Sequence, residues 1–286
     1  MRHIPRKSLA VSVAAALSLG FSATAFGTGA TENTSQVSAG VNPTLLPDTG
    51  DTPKKGSLYS QVVTLDANND NGCTPGPTCF PPVPDQAAEK VTIDFPAEGI
   101  YTANRFLDQC ALATVATATT DAAAAACADA YIGSGHAFAR IPGIPSVNNE
   151  VELTVLAFNG ETSTAGGGFD GGYPTTILHA DNPSLPTTPV LGEVRNSDAG
   201  ADYGQQLNVP DAPDVAGDVG ALVQFGAQVA RGYDNGKSGN KKKKYNLITG
   251  NCDGGGDGDL DFKATWVYDD GSMDTDTFSE DCTVIE

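Results

Sequence analysis

The chain has 286 residues, a length that corresponds to one or two domains. It carries 16 Lys and Arg against 35 Asp and Glu, so its formal net charge is −19. This balance argues against a nucleic-acid-binding surface, because phosphates are neutralised by clustered cations. Long amphipathic helices rich in Leu, Glu and Lys do not occur in the sequence, which disfavours an all-helical protein.

The N-terminus has the three parts of a secretory signal peptide. Met1–Lys7 contains three basic residues, Leu9–Phe21 is an apolar run, and Ala23-Thr24-Ala25 matches the A-x-A cleavage pattern. We therefore predict a signal peptide at 1–25, with a retained membrane anchor as the alternative. Cleavage changes the formal charge to −22, and no later stretch has the roughly 20 apolar residues of a membrane span. These features predict an exported protein, secreted or held in the periplasm or cell envelope.

Six cysteines follow the predicted cleavage site, and an even number in an oxidising compartment indicates disulfides. Fifteen connectivities are open to six cysteines. The spacing favours sequential pairing, because each consecutive pair brackets one short segment. The predicted pairs are Cys73 with Cys79, Cys110 with Cys127, and Cys252 with Cys282. A zinc site is the alternative, but the chain has no Cys-x-x-Cys and only two histidines after cleavage.

Composition divides the mature chain into a linker and a β-rich domain. Residues 26–56 are rich in Thr, Ser, Gly, Pro and Asn and are predicted to be a disordered linker. From residue 57 onward, short segments that alternate polar and apolar residues predict strands separated by turns. The predicted strands are Leu58–Leu65, Lys90–Phe95, His136–Ile141, Val151–Phe158, Tyr173–His179, Val190–Val194, Ala221–Ala230, Tyr245–Ile248, Leu260–Tyr268 and Thr275–Phe278.

This pattern predicts a mainly β domain over 57–286, a disulfide-stabilised antiparallel β-sandwich that is immunoglobulin-like in the broad sense. Two smaller sandwiches are the alternative, with Ser197–Gly217 as the break between them. One segment interrupts the strands. Thr120-Asp121 offers an N-cap, the alanines of 122–130 favour a helix, and Gly133 offers a stop, which together predict one short inserted helix. A low-complexity spacer is the alternative for this segment.

Cysteines and glycines combine into a recurring pattern. Cys110 and Cys127 precede Ile132-Gly133-Ser134-Gly135, and an Asn159-Gly160 turn follows a strand. The C-terminal hairpin contains Cys252, Phe262, Asp270-Gly271 and Cys282. This arrangement resembles a family of uncharacterised secreted bacterial β-rich proteins over roughly 91–282, with Ala128 where the family often has proline. The resemblance implies a secreted β-rich domain and supplies no activity.

Catalytic motifs are weak in this sequence. Gly133-Ser134-Gly135-His136 lacks the Gly-x-Ser-x-Gly spacing of a hydrolase, and a glycine-flanked turn before a strand is the favoured interpretation. His136 and His179 are too few for a histidine metal site, and surface or strand positions are expected for them. Carboxylates are too abundant for one pair to be identified as acid and base. The sequence therefore assigns no catalytic residue.

Two acidic segments are candidates for binding Ca²⁺, which prefers hard oxygen ligands. The candidate ligands are Asp66, Asn68 and Asp70 in the first, and Asp257, Asp259 and Asp261 in the second. Each set places oxygen-bearing side chains at alternate positions near a glycine, although neither forms an EF-hand loop. A hydrated acidic turn is the alternative. The sequence requires no cofactor, and Ca²⁺ is the only ion predicted.

Two function classes follow. The first, which we favour because no catalytic constellation stands out, is a non-catalytic structural, adhesive or binding module with a cell-surface or extracellular polymer as partner. The second is a secreted hydrolase that uses acidic residues on sandwich loops. Fold alone does not separate them. A concave cleft lined by carboxylates and aromatic residues would favour the enzyme, and flat faces would favour the module.

Overall fold

Strands make up most of the computed structural model, which confirms the predicted mainly β class. The structure describes residues 34–42, 45–47, 60–68, 88–101, 108–141, 150–163, 172–210, 221–229, 232–238, 241–250, 259–268, 271–281 and 283–285. The predicted signal peptide at 1–25 lies outside these residues. Among the helices described, none has the length and apolar character needed to cross a membrane.

The strands lie between residues 34 and 285. They are β1 Thr34–Asn42, β2 Leu45–Pro47, β3 Ser60–Asn68, β4 Ala88–Pro96, β5 Gly99–Tyr101, β6 Tyr131–Arg140, β7 Glu150–Ser163, β8 Tyr173–Asp181, β9 Thr188–Asn196, β10 Tyr203–Val209, β11 Ala221–Val229, β12 Gly232–Ser238, β13 Lys241–Asn246, β14 Ile248–Gly250, β15 Asp259–Tyr268, β16 Met273–Asp281 and β17 Thr283–Ile285. Strands β1 and β2 differ from the disordered linker predicted for 26–56. In β1, Val37, Ala39 and Val41 recur at every second position, a strand period that the polar composition of the segment obscured.

Eleven of the strands form one antiparallel sheet in the order β1-β3-β11-β6-β7-β8-β9-β10-β4-β15-β16. Strands β6 to β10 are consecutive neighbours, whereas β4 pairs with β10 and β15, and β11 pairs with β3 and β6. The sheet curls, so that its two outermost strands, β1 and β16, lie beside each other. The remaining strands pair as β5 with β14, β12 with β13, and β2 with β17.

The structure corrects two turn predictions and confirms a third. Asn159 and Gly160 lie inside β7, where they pair with Thr176 and Thr175, so the predicted turn there is wrong. Gly133 and Gly135 lie inside β6 and form neither a turn nor a helix stop. The β15–β16 hairpin closes as predicted, with Gly271 at a φ of 79° that glycine adopts without strain.

Two short helices occur in the described part of the chain where the sequence predicted one. Helix α1 spans Leu112–Val115, and helix α2 spans Thr120–Ala126 and is followed by a 3-10 turn at 128–130. The N-cap of α2 is Thr119, whose hydroxyl accepts from the Ala122 N–H at 3.5 Å. Helix α2 is shorter than the predicted segment because Cys127, at its C-terminal end, leaves the helical conformation with φ −116° and ψ 30°.

Two hydrophobic cores cover opposite faces of the central strands. The larger core lies inside the curled sheet and contains Trp266 and Phe262, whose strand β15 alternates buried and half-buried residues throughout. The smaller core lies outside, where residues 108–130, here called the disulfide segment, pack on β7 and β8 over Phe158 and Ile177. Strand β8 is therefore buried on both faces, with Leu178 in the inner core.

Candidate functional site

The disulfide segment contains the only disulfide of the described residues. Cys110 and Cys127 are bonded, with their Cα atoms 5.6 Å apart, which confirms one of the three predicted pairs. The disulfide closes the segment on itself, and the Cys110 N–H joins the segment to β7 by donating to the Asn159 carbonyl at 2.9 Å. The other four predicted cysteines, Cys73, Cys79, Cys252 and Cys282, lie outside the described residues.

The candidate Ca²⁺ ligands that the structure describes lie in strands rather than in loops. Asp66 and Asn68 belong to β3, and Asp259 and Asp261 belong to β15, where Asp261 pairs with Ser279. Asp70 and Asp257 lie outside the described residues. In the part of the chain that is described, no three His, Cys, Asp or Glu side chains are close enough to hold a metal ion together. Ca²⁺ binding stays a prediction.

The two histidines occupy separate strand positions, as predicted. His136 is exposed on β6, with Nδ1 2.9 Å from Oε1 of Glu152. His179 is fully buried on β8, and its Nε2 lies 2.8 Å from the Ala118 carbonyl. Because a carbonyl oxygen only accepts, Nε2 carries the hydrogen and donates it to the disulfide segment. His179 therefore helps to hold that segment on the sheet.

Asp181, two residues after His179, is the second anchor of the disulfide segment. Its Oδ2 accepts from the N–H and the hydroxyl of Thr120 at 2.7 and 2.9 Å, and its Oδ1 accepts from Thr187 at 3.3 Å. Burial alone would raise the pKa of Asp181, but these hydrogen bonds outweigh it and the pKa lies below its ordinary value. The carboxylate is held ionised by structural contacts, which fits an anchor rather than a proton donor.

An extended array of polar side chains lies on the outer face of β8, β9, β10, β4, β15 and β16. The strand register arranges these side chains in two neighbouring rows. The first row is Thr175, Glu193, Asn208, Thr92, Thr265 and Thr275, and the second row is Arg195, Gln206, Asp94, Lys263 and Thr277. We call these eleven residues the polar face. With about 4.8 Å between strands, the first row is about 24 Å long.

Alternation in the sequence explains why the rows form. In β4, Val91 and Ile93 are buried in the inner core, so Thr92 and Asp94 point to the outer face. The same period places polar residues outward in β10 and β15. The hydroxyls of Thr265 and Thr275 come within 3.4 Å of each other across β15 and β16.

The acidic residues of the polar face each have a basic neighbour. Glu193, which is 5% exposed, forms an ion pair with Arg195 and accepts from the Ser163 hydroxyl at 2.6 Å. The guanidinium of Arg195 also lies 4.7 Å from the centre of the Tyr173 ring, a favourable cation–π distance.

Asp94 is 3% exposed and lies opposite Lys263 across the β4–β15 pair. Burial raises the pKa of Asp94, and a hydrogen bond of 2.6 Å from Ser197 together with Lys263 offsets this only in part, while Asp198 raises it further. The two acid–base pairs make the formal charge of the polar face zero, in a chain whose formal charge is −19.

The two buried carboxylates of the face lie in different rows and on strands that are not neighbours. Glu193 and Asp94 are separated by β10 and lie in different rows, so their Cα atoms are about 12 Å apart. A retaining pair needs about 5 Å between carboxyl groups and an inverting pair about 6.5–9.5 Å. Glu193 also turns toward Ser163 on β7, on the side away from Asp94.

Sequence reasoning did not identify this face, because the signal is spread over six strands. Strand β8 contributes one polar residue and each of the other five strands contributes two at alternate positions, and their neighbours depend on the register. Strand β10, which contributes Gln206 and Asn208, is not among the predicted strands and lies within Ser197–Gly217, the break of the two-sandwich alternative. Comparison with family models, with curated proteins and with solved structures found no match.

Proposed function

We propose that this protein is an exported, non-catalytic binding module that attaches to a neutral, polyhydroxylated polymer at the cell surface or in the extracellular medium. The observation that carries the proposal is the polar face, a registered array of hydrogen-bonding side chains across six strands with its charges paired. Export is supported by the signal peptide predicted from the sequence, by the Cys110–Cys127 disulfide, and by the resemblance to secreted β-rich proteins.

The chemistry of the polar face matches that of sugar hydroxyls. A hydroxyl donates one hydrogen bond and accepts others, so it is satisfied by a surface that mixes both kinds of group. The accessible members of the polar face do so, because the Thr and Gln side chains both donate and accept and Arg195 and Lys263 donate. Four other members, Thr175, Glu193, Asn208 and Asp94, are buried beneath this surface. A neutral polymer also avoids the repulsion that a chain with net charge −19 exerts on anionic polymers.

We interpret the curled sheet as the predicted sandwich, with two halves that pack face to face over the inner core and leave flat outer faces. The disulfide segment covers one part of the outer surface, and the polar face occupies another. A secreted hydrolase is the second candidate. It is disfavoured because Glu193 and Asp94, the two buried carboxylates of the polar face, have Cα atoms about 12 Å apart and Glu193 turns toward Ser163, away from Asp94.

The proposal is tested by binding isotherms on insoluble polysaccharides. The full mature protein is incubated with neutral cellulose and β-glucan and with anionic alginate, and the bound fraction is measured after sedimentation. We expect saturable binding to a neutral polymer and weaker binding to alginate. The double variant Thr265→Ala/Thr275→Ala removes two adjacent hydroxyls of the polar face, and at about 1 kcal/mol for each hydrogen bond it should weaken binding roughly 30-fold.

The matched control is Thr154→Ala, which removes an exposed hydroxyl from β7 on a different part of the outer surface. It should bind as the wild type does. Equal binding by the double variant and the wild type would contradict the assignment of the polar face. Release of reducing sugars during the incubation would instead favour the hydrolase.

A further inference from the structure

An exposed apolar pair adjoins the polar face at the end of β15 and β16 that is nearest their turn. Val267 and Met273 lie directly opposite each other across these strands, in the row that follows Thr265 and Thr275. Met273 is 67% exposed and Leu112 is 37% exposed, and these two are the exposed large hydrophobic side chains of the described residues. We call Val267 and Met273 the apolar ledge.

The backbone of the β15–β16 hairpin fixes the position of the apolar ledge. The Tyr268 N–H donates to the Ser272 carbonyl at 2.9 Å, and the Gly271 N–H donates to the Tyr268 carbonyl at 2.8 Å. Tyr268 is buried in the inner core, so its chain neighbour Val267 points to the outer face. Met273 is therefore exposed on a hydrogen-bonded strand and not on a loop.

The apolar ledge and two hydroxyls of the polar face together form an amphipathic strip. Residues two apart in an antiparallel strand are separated by about 6.8 Å, so the ledge and the row of Thr265 and Thr275 are neighbours on one face. Single exposed apolar residues are common on protein surfaces, but here two lie opposite each other beside a registered row of hydroxyls. Methionine is also frequent at binding surfaces, because its flexible thioether adapts to the ligand. The strip therefore suits a ligand that is apolar on its face and hydroxylated at its edge.

We propose that the polymer bound by the polar face is built of six-membered sugar rings, whose apolar C–H faces pack on the apolar ledge while their hydroxyls bond to Thr265 and Thr275. This inference rests on the proposed function and names the class of its ligand. A sugar ring with equatorial hydroxyls, as in β-linked glucans, has two faces of C–H groups and a rim of hydroxyls. It therefore matches an apolar row beside a hydroxyl row. Polyhydroxylated chains without rings have no such face to place on the ledge.

The test compares cellulose with cross-linked poly(vinyl alcohol), a neutral polymer that has hydroxyls but no sugar rings. Binding isotherms of the full mature protein are measured on both solids after sedimentation, and we expect tighter binding to cellulose. Met273→Ala removes roughly 40 Å² of apolar surface from contact with the ring, which should weaken binding to cellulose about 5-fold and leave binding to poly(vinyl alcohol) unchanged. Met273→Leu keeps an apolar side chain of similar volume and should retain the wild-type affinity for cellulose.

Leu112→Ala is the matched control, because Leu112 is the other exposed large hydrophobic side chain and belongs to the disulfide segment, several strands away from β15 in the sheet order. It should bind cellulose as the wild type does. Two results would overturn the role of the apolar ledge and leave the proposed function in place: wild-type binding to cellulose that is no tighter than to poly(vinyl alcohol), or a Met273→Ala variant with wild-type affinity for cellulose. No binding of the wild type to either polymer would overturn both proposals.

Discussion

Gly135 on β6 is a position where one added methyl group should disturb the sheet. Its strand runs against β11, and a Cβ at residue 135 would lie 2.7 Å from the Cα of Ala227 and 2.8 Å from the carbonyl carbon of Gly226, with the Gly226 oxygen closer still. Carbon atoms in contact are normally about 3.5–4.0 Å apart. The obstructing atoms belong to the backbone, so no side-chain rotation relieves the clash.

The free-energy cost of Gly135→Ala follows from this geometry. The two strands must separate locally by about 1 Å, which stretches a hydrogen bond of about 2.9 Å beyond the length at which it holds. Loss of two ladder bonds at about 1 kcal/mol each, with about 1–2 kcal/mol for displaced core side chains, gives about 3–4 kcal/mol. Alanine also lowers the conformational entropy of the unfolded chain, which stabilises the folded state by about 0.4–1 kcal/mol. The net decrease in the free energy of unfolding is therefore about 3 kcal/mol.

The assay is equilibrium unfolding in urea, followed by tryptophan fluorescence of Trp266, the single tryptophan of the chain. Ser134→Ala is the matched control, since Ser134 lies between the two glycines of β6 on the exposed face and its loss should change the free energy of unfolding by less than about 0.5 kcal/mol. A Gly135→Ala variant as stable as the Ser134→Ala control would refute the close approach of β6 to β11.

Three other predictions concern the disulfide segment and Asp94. Replacing both Cys110 and Cys127 by alanine removes a crosslink between residues 17 positions apart and should lower the free energy of unfolding, measured in urea, by about 3 kcal/mol. A decrease of less than about 1 kcal/mol would contradict this prediction. Asp181→Asn should lower the free energy of unfolding by about 1–2 kcal/mol at neutral pH, because the amide group does not match the donors of Thr120 as the carboxylate does. The pKa of Asp181 is low in the folded protein, so the stabilisation by its carboxylate is lost as pH falls through that pKa. Once acid has protonated the wild-type carboxyl, the variant and the wild type should be equally stable. The pH dependence expected for Asp94 has the opposite sign, because its pKa is raised in the folded protein and wild-type stability therefore falls as pH rises through the ordinary carboxyl range. The Asp94→Asn variant removes this loss. The difference in melting temperature, variant minus wild type, should therefore be larger at about pH 7 than at about pH 3.

Local patterns in the sequence were sufficient to predict a strand where one of its faces is buried and the other is not. The strand β15 was predicted within one residue of its bounds, because Leu260, Phe262, Ala264 and Trp266 occupy every second position of the core side. The short helix was also found, since an alanine run after a threonine is a local signal. Neither required knowledge of distant contacts.

Features that depend on distant partners were missed. Asn159 and Gly160 have the composition of a turn, but the pairing of β7 with β8 carries the strand straight through them. Gly133 was interpreted as a helix stop. It is a glycine because the backbone of β11 approaches too closely for a side chain at this position, and the residues next to Gly133 in the sequence do not indicate that approach. The polar face depends in the same way on the register of six strands. The sequence contained its residues and not their arrangement.

The strand order of the sheet also has a consequence for how the chain reaches this structure. Strands β6 to β10 can pair one after another as they are synthesised, but β4 is made before both of its final neighbours, β10 and β15. Pairings between residues so distant in the chain make folding slow, with times of about milliseconds to seconds. Strand β4, a partly apolar segment, cannot form its final pairs until β10 and β15 have been made, and we expect the charges of Glu89 and Lys90 at its start to oppose its association with other chains before then. A strand from the first third of the chain thus depends on partners from its last third for its place in the core.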